Sequence, residues 1–87
     1  MLTMTDPAGA RLADFLSKVA DGSVVRIVRG KHRFKLEMDR PRKSDETFAH
    51  DGRIVLALDE RVATSLSSRQ LQIRETKAGP RLRLQPQ

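Results

Sequence analysis

The chain contains no cysteine, no tryptophan and no tyrosine, and only three phenylalanines among its 87 residues. Without cysteine there is no disulfide, no thiolate metal site, no cysteine-ligated iron–sulfur cluster and no thiol nucleophile within this sequence. Without the large aromatics, the core must rest on Leu, Val, Ile and Ala, and stacking platforms for single-stranded nucleic acid are lacking. No apolar run approaches the length that spans a bilayer. Met1 to Asp6 has no basic stretch followed by an apolar one, so no signal peptide is expected and the cytoplasm is the default location. No glycine-rich phosphate loop and no serine in a nucleophile-elbow context occurs, which removes the usual signatures of an enzyme.

What is present is charge. Lys and Arg number 17 against 11 Asp and Glu, a net charge of +6. Hydrophobic residues make up 38% and charged residues 32%, ordinary values for a folded domain and too apolar for a disordered chain. The length fits one domain over 1–87. The excess of cations favours anionic partners: nucleic acid, an acidic protein or anionic lipid.

The apolar pattern gives the element order. Leu2-Thr3-Met4 reads as a short strand. Asp6-Pro7 opens a helix, with Asp6 expected to cap it, and Leu12, Phe15, Leu16 and Val19 mark its apolar face up to Asp21-Gly22. Val24 to Val28 is β-branched and reads as a strand. Phe34, Leu36 and Met38 alternate with Arg33, Lys35, Glu37 and Asp39, as in a half-buried strand with a charged outer face. A polar loop, Arg40 to Asp45, follows. Glu46–His50 and Arg53–Leu58 are strands around an Asp51-Gly52 hairpin turn, and the run Ile54 to Leu58 is expected to be buried on both faces. Asp59 caps a short helix carrying Val62, Ala63 and Leu66. Two strands, with Leu71 and Ile73, then Leu82 and Leu84, flank an Ala78-Gly79-Pro80 turn. Short turns between neighbours imply mostly antiparallel pairing. The expected class is α+β and strand-dominated, with one longer N-terminal helix and one short helix.

Three segments in this order carry a resemblance: "LTMTDPAGARLADFL", "DETFAHDGRIVLALDE" and "LQIRETKAGPRLRL". Together they resemble the HesB-like family of A-type, IscA-like iron–sulfur assembly proteins over nearly the whole chain. The resemblance implies a compact, twisted mixed β structure with flanking helices. It also implies a partner in iron–sulfur or sulfur metabolism and a monomer or homodimer. The family holds iron or a cluster through three cysteines: one in the turn after the strand matching Val24 to Val28, two in a Cys-Gly-Cys element near the C-terminus. Here the first region reads Arg29-Gly30-Lys31-His32-Arg33, and no Cys-Gly-Cys element is matched up to Gln87. No family ligand carries over. No cofactor and no intrinsic cluster is expected, because soft thiolates select such clusters.

The remaining candidates are basic. Arg29, Lys31, His32, Arg33 and Lys35, with Arg42 and Lys43, are the residues expected to meet a partner. One reading is a cysteine-free binding module that docks an acidic protein. The other is a nucleic-acid-binding domain whose strip runs through Arg26–Lys35 and Arg40–Lys43 and tracks phosphates. Arg81 and Arg83 share one face of the last strand. The two histidines, His32 and His50, are expected to be solvated turn residues, and Asp45, Glu46 and Asp51 exposed loop acids.

Overall fold

A computed structural model describes residues 1–87. The element order matches the sequence reading: β1 (Thr3–Met4), α1 (Asp6–Leu16), β2 (Val24–Arg29), β3 (Phe34–Asp39), β4 (Glu46–His50), β5 (Arg53–Leu58), α2 (Glu60–Ser65), β6 (Arg69–Thr76) and β7 (Gly79–Pro86). The strands form two sheets, ordered β1-β6-β7 and β3-β2-β5-β4. The strands joined by short turns, β2 with β3, β4 with β5 and β6 with β7, pair antiparallel, while β3 and β4 lie on opposite edges of one sheet. Two pairings are parallel, β2 with β5 and β1 with β6, and both join strands distant in sequence. The sheet structure is therefore mixed.

The core lies between the sheets and the two helices. Leu12 and Leu16 of α1, Val25 and Ile27 of β2, Val55, Leu56 and Leu58 of β5, Val62 and Leu66, and Leu71 of β6 are buried together with Leu2 and Ala8. Each of the Leu, Ile and Val side chains contributes about 1.5–3 kcal/mol on leaving water, and Phe34 and Phe48 pack against this aliphatic core.

Local details correct four expectations. Thr5, not Asp6, caps α1: its Oγ1 accepts from the Ala8 amide at 3.2 Å, and Asp6 and Pro7 lie inside the first turn. Pro7 lacks an N–H where none is bonded, so its presence one residue further in costs nothing. The helix ends at Leu16 rather than near Asp21, since the Ser17 hydroxyl turns back to the Asp14 carbonyl at 2.6 Å. Gly22 (φ +85°) serves the turn into β2 instead. Phe15 falls outside the core and is 42% exposed. The turn between β4 and β5 is as expected, with Asp51 at φ 50° and Gly52 at φ 80°. In β5, Val55 to Leu58 are fully buried, but Ile54 next to the turn is 42% exposed.

Candidate functional site

Arg26 sits in the central strand β2, between Val25 and Ile27, and is only 3% exposed. A cation in that position must be paired. Its guanidinium grips the Asp45 carboxylate through Nη1 (3.0 Å) and Nη2 (2.5 Å), donates from Nε to Asp39 (3.1 Å), and donates to the Arg40 carbonyl (3.1 Å). Asp45 also accepts from the Arg42 amide at 2.6 Å, and its side chain is 1% exposed. The Arg26 hydrogen bond holds the Asp45 carboxyl below the usual carboxylate range, against the opposing effect of burial. Asp39 is likewise lowered, first by the Arg40 amide, which donates to it at 2.8 Å. Arg26 is raised, chiefly by its bond to Asp45. Arg26 is thus a tie between β2 and the loop after β3, and does not belong to a surface strip. Asp45 is not an exposed loop acid. The sequence held a signal for this: an arginine inside a β-branched run calls for a buried carboxylate.

The turn between β2 and β3 forms the basic corner. The Gly30 amide donates to the Arg33 carbonyl at 2.8 Å. A Cβ on Gly30 would come within 2.5 Å of that same carbonyl oxygen, so the tight closure excludes any side chain there. Lys31, His32, Arg33 and Lys35 are exposed, and none of them forms an ion pair. Arg29 differs. Its guanidinium lies 5.2 Å from the Phe34 ring centroid and donates to the Ser65 hydroxyl at 2.9 Å, which fastens the corner to α2. Beside the corner an open cleft of about 370 Å³ runs between β3 and the start of β7. Arg33, Lys35 and Arg81 line it with Phe34, Leu36 and Pro80, and no acid does.

Arg42 and Lys43 lie elsewhere. They follow the opposite end of β3, a strand of six residues and so about 20 Å long. Arg42 is paired with Asp39 at 3.0 Å. The expected strip through Arg26–Lys35 and Arg40–Lys43 is therefore two separate groups, with Arg26 buried between the sheet and its loop. His32 is exposed in the turn as expected. His50 is not a solvated turn residue: its ring packs over Gly9 of α1, and a Cβ on Gly9 would meet Nδ1 at 2.6 Å. His50 Nε2 stands 3.4 Å from the Asp51 carboxylate.

The corner's chemistry does not fit an iron–sulfur cluster. It offers cations and one imidazole in place of thiolates, and no group of three or more His, Asp or Glu side chains is placed to hold a metal ion.

No family model and no curated protein matches the sequence. Among solved structures, Escherichia coli SufA, described as involved in biosynthesis of iron–sulfur clusters, superposes with a TM-score of 0.82 at 19% identity, over 98% of this chain and 84% of SufA. A structure of IscA with its [2Fe-2S] cluster superposes with a TM-score of 0.67 at 16% identity, over 99% of this chain and 85% of that one. The segments that resembled A-type assembly proteins thus fold as they do, and the chain has the HesB-like fold of SufA and IscA.

Proposed function

We propose that this chain is a cysteine-free HesB-like binding module that acts through protein contacts and holds no iron–sulfur cluster by itself. The observation that carries the proposal is the corner after β2. There the fold is kept, the donor set is cationic, and Lys31, Arg33 and Lys35 stand exposed without counter-charges. Unneutralised cations around an acid-free cleft suit an acidic protein surface. The likeness to SufA and IscA supports a partner in iron–sulfur or sulfur metabolism. No helix is long and apolar enough to cross a membrane.

The test is affinity capture of the tagged chain from its native extract, with and without nuclease, followed by mass spectrometry. An acidic iron–sulfur or sulfur-transfer protein that survives nuclease is the expected result. The double reversal Lys31→Glu, Arg33→Glu should abolish that capture while leaving the melting temperature unchanged, since neither side chain is paired. Arg29 is left in place because it packs on Phe34. Capture of nucleic acid alone, removed by nuclease and by salt, would transfer the corner to phosphate binding. Iron–sulfur reconstitution of the purified chain should yield no visible cluster band.

A further inference from the structure

The hairpin of β6 and β7 pairs without a break, from Arg69 opposite Pro86 to Thr76 opposite Gly79. Alternation along it sends Leu71, Ile73, Leu82 and Leu84 to the core side, where they pack. Gln70, Gln72, Arg74, Arg81, Arg83 and Gln85 therefore share the outer face, with Thr3 of β1 beside Gln70. That face carries three arginines and no acid. None of the three forms an ion pair. Glu75, next in the chain to Arg74, lies on the other face and is paired with Arg11 at 2.7 Å.

Arg74 and Arg81 stand directly opposite each other across the ladder, an arrangement that costs stability. Guarding a sheet edge against chance pairing asks for charge, not for like charges set against each other. An anion on this face relieves the repulsion. Between the arginines the face is made of neutral hydrogen-bonding groups. Gln72 Nε2 donates to Gln70 Oε1 at 3.0 Å, which leaves the Gln72 oxygen to accept and the Gln70 nitrogen to donate. Arg81 and Arg83 are about 7 Å apart along β7, close to the step between successive phosphates of a nucleic-acid strand.

We propose that the outer face of β6 and β7 is a binding surface for double-stranded RNA. The arginines meet phosphates, and the glutamine amides meet 2′-hydroxyls across the wide, shallow minor groove of the A-form helix. A 2′-hydroxyl donates and accepts, as these amides do. B-form DNA lacks that hydroxyl, and its major groove is read by an inserted helix or ribbon, which an open sheet face does not supply. Unstacked single strands call for aromatic platforms, and the face has none. Nor does it carry an apolar side chain to enter a lipid surface. This surface is separate from the corner at Lys31 and Arg33 and from the acidic partner proposed there. Arg81 also borders the cleft beside that corner, so the test leaves it in place.

Fluorescence anisotropy of the purified chain with a labelled RNA duplex of mixed sequence is the test. Competitors are the unlabelled duplex, a DNA duplex of the same sequence, the single RNA strand and polyglutamate. The wild type should bind the RNA duplex with an affinity that falls steeply as salt rises. The other three should each compete at least about tenfold less well than unlabelled RNA duplex. Arg74→Gln with Arg83→Gln should weaken binding at least about tenfold and flatten the salt dependence by about two phosphate contacts. Gln72→Glu keeps every arginine and sets an opposite charge against Arg83 across the ladder. It should also bind at least about tenfold more weakly, yet melt no lower than wild type. Lys31→Glu with Arg33→Glu should weaken RNA binding less than either sheet variant. No binding to the RNA duplex at low salt overturns the proposal. So does equal competition by DNA or polyglutamate, or unchanged affinity in the two sheet variants. Loss of RNA binding in the corner variant alone moves the phosphates to Lys31 and Arg33 and removes this surface. Capture of an acidic partner through the corner stands or falls separately.

Discussion

Asp45→Asn removes the charge that holds Arg26 and nearly preserves the shape. Arg26 is 3% exposed and the Asp45 side chain 1% exposed, so the pair is shielded from solvent. Breaking a buried pair by taking away one partner costs about 3–5 kcal/mol, because the remaining charge is stranded. Arg26 keeps Asp39 at 3.1 Å and the Arg40 carbonyl, so the lower end, about 3 kcal/mol, is expected. A domain of this length has a total stability of about 4–13 kcal/mol. Each kcal/mol shifts the melting temperature of such a domain by about 4–8 °C, so the variant should melt at least about 12 °C lower. Thermal and urea unfolding followed by circular dichroism measure this. The double variant Arg26→Met, Asp45→Asn removes both charges and should recover part of the loss, since apolar replacement of a buried pair is often near neutral. Asp39→Asn should shift the melt less, because Asp39 is 36% exposed. An Asp45→Asn melt indistinguishable from wild type would refute the assignment of Arg26 as a buried tie. So would a double variant whose loss equals the sum of the singles.

Acid should weaken the fold through the same groups. Asp45 and Asp39 are held below the ordinary carboxylate value when folded. Their contribution is complete above the unfolded value of about 3.9 and is lost as pH falls through the folded one. Urea midpoints measured against pH should fall in that window, and fall less steeply in Asp45→Asn. Gly30→Ala should distort the corner, because its Cβ meets the Arg33 carbonyl oxygen at 2.5 Å. Gly52→Ala meets no atom and should cost only the strain of φ +80°, about 1–2 kcal/mol; chemical shifts at Lys31 to Lys35 should move in the first variant and not the second.

Elements joined by local signals were readable from sequence. The Asp51-Gly52 turn, the Asp59 cap on α2, whose carboxylate accepts from the Val62 amide at 2.8 Å, and the alternation of β3 all announce themselves within a few residues. The parallel pairings of β2 with β5 and β1 with β6 join distant strands, and no local pattern specifies them. For the same reason the basic residues looked like one strip. Chain order places Arg26 beside Arg29 and Arg42 near Lys35, while folding buries Arg26 and the extended strand β3 sets Arg42 at the end far from Lys35. Arg81 reached the corner's cleft only through tertiary packing. His50 was misread because its neighbour, Gly9, lies on another element.

The tie between Arg26 and Asp45 bears on how the chain resists proteases. Arg42 and Lys43, in the loop after β3, are residues that trypsin seeks, while Pro41 already blocks the bond after Arg40. Yet the Arg40 carbonyl and the Arg42 amide are both bonded into the tie. A protease needs several residues of extended, detached backbone, and here that requires first breaking a solvent-shielded ion pair. Cleavage in this loop is therefore expected to follow opening of the tie rather than free loop motion, so a surface segment rich in cations should resist trypsin.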